Sequence, residues 1–225
     1  MAGAFGPAAE PITIDVWSDV ICPFCYLGDA HLQQAIEAFP HASSVQVRYH
    51  SFLLHPDATE AKPVVEYLVG ERGLSASQMA ASHEHLTAQG AQAGLEYRFA
   101  DSLVVNTRDA HRLIHFAKTA GHEHEMVLRL FRAEFTEGLD VSDHAVLADL
   151  AAEVGLSREE AVQALSSDAF QADFEADLAA AQQIGINGVP FFVFDGKRAI
   201  SGAQPVEMFR RALDLSWQDR VVPTA

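Results

Sequence analysis

The chain has two soft nucleophilic sulfurs, and they stand three residues apart in Cys22-Pro23-Phe24-Cys25. Chance would put the only two cysteines of 225 residues at this spacing in about 1 case in 100. A structural disulfide closing so small a loop restricts the unfolded chain very little. A zinc half-site is the other alternative, but zinc normally takes four ligands and the sequence has no second cysteine pair. The pattern points to dithiol–disulfide exchange. One thiolate attacks a disulfide, a mixed disulfide forms, and the second cysteine resolves it.

That chemistry requires the pair to sit on a particular element. Ile12–Trp17 (ITIDVW) is β-branched and aromatic and is predicted as a strand. Pro23–Phe39 then repeats apolar residues at helical spacing: Phe24, Leu27, Leu32, Ala35, Ile36 and Phe39. Pro23 suits the first helical turn, where its missing N–H has no use. Cys22 therefore falls at a helix N-terminus, whose unpaired N–H groups and dipole favour a thiolate. Phe24 adds neither a donor nor a positive charge, so the expected thiolate stabilisation is weaker than in a Cys-Pro-His-Cys site.

Val45–Leu54 alternates and is expected to be a second strand. No convincing strand follows between Pro56 and Phe174. Ser75 with Gln78 resembles a capping box opening a helix to about Gly94. Further helices are expected at Thr107–Ala120, Glu123–Glu137, Asp143–Val154, Ser157–Leu165 and Asp168–Ile184. Pro190–Asp195 and Arg198–Ser201 read as a hairpin about Asp195-Gly196, followed by a helix over Pro205–Leu215. The expected fold is α/β: a thioredoxin-like core interrupted by an all-helical insertion. The core occupies residues 12–55 and 175–220, the insertion 56–174, and tails residues 1–11 and 221–225. In such a core Pro190 would be a cis proline beside the dithiol, with Val189 offering backbone groups to an extended substrate.

The segments WSDVICPFCYLG, SFLLHPD, NTRDAHRLIHFA, LFRAEFTEG and GINGVPFFVF together resemble the FrnE branch of the DsbA-like thioredoxin superfamily. The resemblance runs from about Ile12 to Leu215. It implies protein-dithiol oxidoreductase activity, with Cys22 as the attacking cysteine, Cys25 as the resolving one and Pro190 as the cis proline. Some relatives carry further cysteines toward the C-terminus; this chain has none.

Pro23, Phe24, Val189 and Pro190 are the candidate substrate-binding residues beside the cysteines. Asp19, Asn106 and His111 are accessory candidates. Asp19 is expected to cap the helix or to be solvated, with proton transfer as the alternative. Asp15 lies inside the first strand, where its facing is not fixed by the sequence. Asn106 or Thr107 is expected to cap its helix, and the resemblance gives Asn106 and His111 a place near the substrate groove. His111 and His115, four apart, have a metal-compatible spacing, as do the neighbouring pairs His83/His85 and His122/His124. Solvated or core-edge histidines are the ordinary outcome, and no metal site is expected.

Acidic residues outnumber basic ones 31 to 15, which argues against nucleic-acid and anionic-membrane partners. The apolar stretches are short, and the N-terminal segment lacks a basic region followed by an apolar one, so a cytoplasmic setting is the default expectation. The expected partners are protein or low-molecular-weight thiols and disulfides. No cofactor is expected beyond glutathione as a co-substrate, and either a monomer or a homodimer fits. A second reading is a glutathione-dependent isomerase or transferase of the 2-hydroxychromene-2-carboxylate isomerase type, in which a serine usually replaces the first cysteine. A third is a non-catalytic redox-sensing peptide binder.

Overall fold

A computed structural model describes residues 10–221; the expected tails at 1–11 and 221–225 lie almost wholly outside these residues. Ile12, Ile14 and Val16 alternate into the core along β1 (Ile12–Ser18). The Cys22 turn leads into α1 (Pro23–Glu37), and β2 (Val45–Ser51) follows. β1 is central, with β2 parallel on one side and β5 (Phe191–Phe194) antiparallel on the other. β6 (Arg198–Ser201) completes the order β2-β1-β5-β6, and α8 (Val206–Val221) packs against α1 and the sheet. Gly28 permits the close approach of α1 to β5. A Cβ there would meet the Pro190 ring at 3.0 Å and the Phe192 ring at 3.2 Å.

Between β2 and β5 lie α2 (Ala76–Gln92), α3 (Arg108–Thr119), α4 (Glu123–Arg132), α5 (His144–Glu153), α6 (Arg158–Leu165) and α7 (Gln171–Gln183). Buried α3 is the hub, touching α4, α5, α6 and α7, while α7 also packs on β2. Ser75, Asp143 and Ser157 accept hydrogen bonds from the first turns of α2, α5 and α6, so these starts are set locally.

The expectation of an all-helical insertion needs correction. Lys62–Pro63 (β3) pairs antiparallel with Leu103–Val104 (β4). A two-residue bridge carries no periodicity, so nothing in the pattern announces it. A wide π-type turn at Glu66–Glu71 also went unseen, and another at Ala133–Glu137 ends the expected single helix after α4. Gly138, at φ 65°, then turns the chain away. β2 ends at Ser51 rather than Leu54: the Phe52 N–H makes the last ladder bond, to the Ser18 carbonyl, and the Leu54 N–H turns to the Asp19 carboxylate.

Candidate active site

The dithiol stands where β1 gives way to α1. Cys22 is the N-cap residue, with extended backbone (φ −94°, ψ 109°), and Pro23 opens the helix. The Cys25 N–H donates to the Cys22 carbonyl at 2.9 Å, which places Cys25 one turn inside the helix. No acidic side chain lies in the first turn to offset the positive end of the helix dipole. Both cysteines are free thiols. Burial, and then the neighbouring Cys22 sulfur, push the Cys25 thiol well above its ordinary pKa, although the Ser18 hydroxyl and Asp19 amide act in the other direction. Cys25 is thus held protonated.

The Val189-Pro190 peptide is cis, and the Cys22 Sγ lies 3.6 Å from the Val189 carbonyl oxygen. Val189, Gly188, Pro23 and the exposed Phe24 share the wall of a cleft with Cys22. The cleft has a volume of about 410 Å³ and is closed on its far side by Leu74, Met79, Leu86 and Phe99, together with Leu103 and Val104 of β4. Tyr97, which the sequence reading passed over, donates to the Pro23 carbonyl at 2.6 Å from 74 residues away. Burial pushes its phenol pKa far up, so it remains a donor.

Asp19 neither caps α1 nor faces solvent. It is fully buried. Its backbone carbonyl accepts the Cys22 N–H at 3.0 Å, while its carboxylate accepts the Leu54 N–H at 2.7 Å and the Thr107 hydroxyl at 2.8 Å. The demand for an acceptor among groups distant in sequence outweighs the local capping preference. Thr107 is the N-cap residue of α3 by position, yet its hydroxyl is spent on Asp19. The α3 start is capped by Asn106, whose Oδ1 accepts the Arg108 N–H at 3.0 Å. Asn106 does not line the dithiol cleft. It borders a separate polar hollow with Thr59, Glu60 and Asp109. His111 is buried behind Asp19, with its Nε2 at 3.5 Å from the carboxylate.

One histidine of each neighbouring pair has an ordinary partner. His83 stacks on Phe99 at 4.1 Å, and His124 meets Asp29 at 3.2 Å. Among the described residues no group of three or more His, Cys, Asp and Glu is placed to hold a metal.

A polar network joins the sheet to α3 and α7. His50 bonds Asp15 at 2.9 Å and Asp177 at 2.7 Å, and Asp177 also takes the Ser51 N–H at 2.8 Å and faces His115 at 3.1 Å. Burial alone would push the His50 pKa down, but the two carboxylates outweigh it and hold it at about 9. Burial likewise opposes the Asp177 carboxylate, and the bonds from His115, His50 and Ser51 hold its pKa well below the usual range. A raised histidine pKa gives stability that is complete below the unfolded value of about 6.5 and is lost as pH rises through about 9. Urea unfolding is therefore expected to lose on the order of 2 kcal/mol between pH 6.5 and 9.5, with a clearly shallower decline in His50→Gln. Equal slopes in the two proteins would refute the assignment.

Comparison with known proteins gives the site its context. The model of the DSBA-like thioredoxin domain matches residues 13–214. The chain belongs to that family. Its fold overlays that of a probable DsbA oxidoreductase of Streptomyces coelicolor with a TM-score of 0.90 at 38% identity, covering 95% of this chain and 93% of that one. A 2-hydroxychromene-2-carboxylate isomerase overlays with a TM-score of 0.71 at 18% identity, covering 95% of this chain and all of that one (100%). An uncharacterized Bacillus subtilis protein, YwbO, is 29% identical over 205 residues, 90% of this chain and 96% of its own. Within this DSBA-like domain, no helix among the described residues is long and apolar enough to cross a membrane.

Proposed function

We propose that the protein is a thiol–disulfide oxidoreductase in which Cys22 attacks and Cys25 resolves. The observation that carries this reading is the inequality of the pair. Both thiols are buried, but Cys22 caps the helix and lines the cleft, whereas Cys25 does not line it and burial pushes its thiol pKa up. A protonated thiol off the cleft is a poor first attacker, and it becomes useful once a mixed disulfide on Cys22 is within its reach. The Val189 carbonyl and the Pro190 turn offer backbone against which an extended substrate would align. Asp19, Asn106 and His111 are assigned to positioning rather than to contact with substrate.

The cycle needs neither metal nor organic cofactor. Thiols such as glutathione can return electrons to the pair; a cytosolic disulfide reductase of Pseudomonas aeruginosa, DsbM, similar in fold at 22% identity, has been seen with glutathione. The FrnE-like type and a cytoplasmic setting belong to the same proposal. In a reducing compartment the pair rests as a dithiol and works as a reductase or isomerase. The isomerase-type alternative is disfavoured because both cysteines stand in the site.

Reduction of insulin disulfides and refolding of scrambled ribonuclease test the reading. Cys25→Ser is expected to attack once and stall, accumulating a mixed disulfide visible by intact mass. A Cys25→Ser protein that turned over at the wild-type rate and carried no adduct would overturn it.

A further inference from the structure

The cleft beside Cys22 is unlike the rest of the molecule. The chain carries a formal charge of −16, yet the cleft wall includes no lysine, arginine or aspartate. Its ionisable residues besides Cys22 are His55, His83 and Glu134. Burial pushes both histidine pKa values down, so both are neutral at pH 7. Burial also pushes Glu134 up to about 8, despite the hydrogen bond from the Leu103 N–H, so it is largely protonated as well. The remaining wall is mainly apolar: Ile21, Leu54, Val64, Leu68, Met79 and Phe99. A volume of about 410 Å³ falls in the range of small-molecule sites.

Resting on the oxidoreductase reading, the geometry points to a substrate class: low-molecular-weight disulfides bearing an uncharged apolar group, which the cleft holds while Cys22 attacks the attached sulfur. An anionic tripeptide such as glutathione would bring carboxylates into a space with no cation to pair them, at a desolvation cost that an alkyl or aryl group does not incur. The Cys22 thiolate bonds the sulfur that carries the apolar group and expels the other half as a thiolate. Cys25 then attacks the Cys22 sulfur and releases the apolar thiol. Two electrons pass from the protein dithiol to the substrate, and the two thiol protons pass through solvent to the two released thiols. An external thiol reductant, dithiothreitol in the test, restores the dithiol.

Benzyl 2-pyridyl disulfide and glutathionyl 2-pyridyl disulfide make a matched pair of probes, since both release the same chromophoric thiopyridone. Single-turnover rates are measured for the reduced protein, and each is divided by the rate with dithiothreitol alone. The normalised benzyl rate is expected to exceed the glutathionyl rate at least about tenfold. Leu74 is a half-exposed part of the wall, and Leu74→Lys is expected to lower the ratio of the benzyl to the glutathionyl rate several-fold, since the new cation opposes the apolar group and pairs a carboxylate. An unchanged helix signal and thermal midpoint report that the variant is folded.

Equal normalised rates, or a glutathionyl preference, would overturn the inference. So would insulin reacting faster than the benzyl disulfide on the same scale, because the occupant would then be a polypeptide side chain. If neither probe reacts faster with wild type than with Cys22→Ser, the oxidoreductase reading itself fails and the inference with it. Loss of preference with intact dithiol chemistry would strike the inference alone.

Discussion

Cys22→Ser is expected to lower disulfide reduction at least about a thousandfold. No other group can take over the attack. Cys25 does not line the cleft and its thiol pKa is pushed up, and the imidazoles on the cleft wall, His55 and His83, have no sulfur chemistry to offer. A serine hydroxyl at the helix start remains protonated at neutral pH and does not attack a disulfide sulfur. The replacement is close to isosteric, and the Val189 backbone carbonyl that meets the Cys22 thiol can accept from a hydroxyl as well. Folding should therefore survive, and the thermal midpoint is expected to move by no more than a few degrees. Insulin turbidity assays on wild type and variant provide the measurement. Retention of even a tenth of wild-type turnover would show that Cys22 is not the nucleophile.

The largest expected stability effect comes from Arg112→Met, at about 3–5 kcal/mol. Arg112 is almost fully buried on α3 and acts as a clamp on the chain between α6 and α7. Its guanidinium donates to the Ala164 carbonyl at 2.7 Å and to the Ala169 carbonyl at 2.8 Å, as well as to the Ser167 carbonyl. It also pairs with Asp109 at 2.7 Å. Methionine fills the volume but offers no donors, so the Ser167 and Ala169 carbonyls lose the guanidinium, the Ala164 carbonyl keeps only its local donors, and Asp109 loses its buried cation. Arg112→Lys should recover little, since a point charge cannot reproduce the planar fork. Urea titration monitored by helix signal measures the loss. A change below about 0.5 kcal/mol would mean these carbonyls are satisfied without the guanidinium.

Periodicity and capping residues located most of this fold because they are local signals. Ile12–Trp17, the helix after Cys22 and the Asp195-Gly196 hairpin all lie close to their expected positions. Local reading failed where a residue's partner is distant. Asp19 looked like a cap because the residues that claim its carboxylate, Leu54 and Thr107, are 35 and 88 positions away. Tyr97 gave no signal at all, since its meaning lies in a carbonyl at Pro23. Asp177 sits on a helix of weak amphipathicity, and its role appears only when Ser51 and His50 are brought against it. The neutrality of the cleft was equally unreadable, because it arises from burial and not from composition.

Asp19 has one more consequence, for the mechanics of the cleft. Its carbonyl fixes the Cys22 amide, and its carboxylate fixes Leu54 and Thr107, the latter three residues beyond the β4 wall at Val104. One buried side chain therefore ties the turn that carries the sulfur to Leu54 on the cleft wall and to the segment that follows β4. An opening built this way behaves as a fixed gauge and not as a jaw: it admits what already fits, and little ordering entropy remains to be lost on binding. Selection among disulfides would then appear in which ones enter, with the chemical step much the same for all that do.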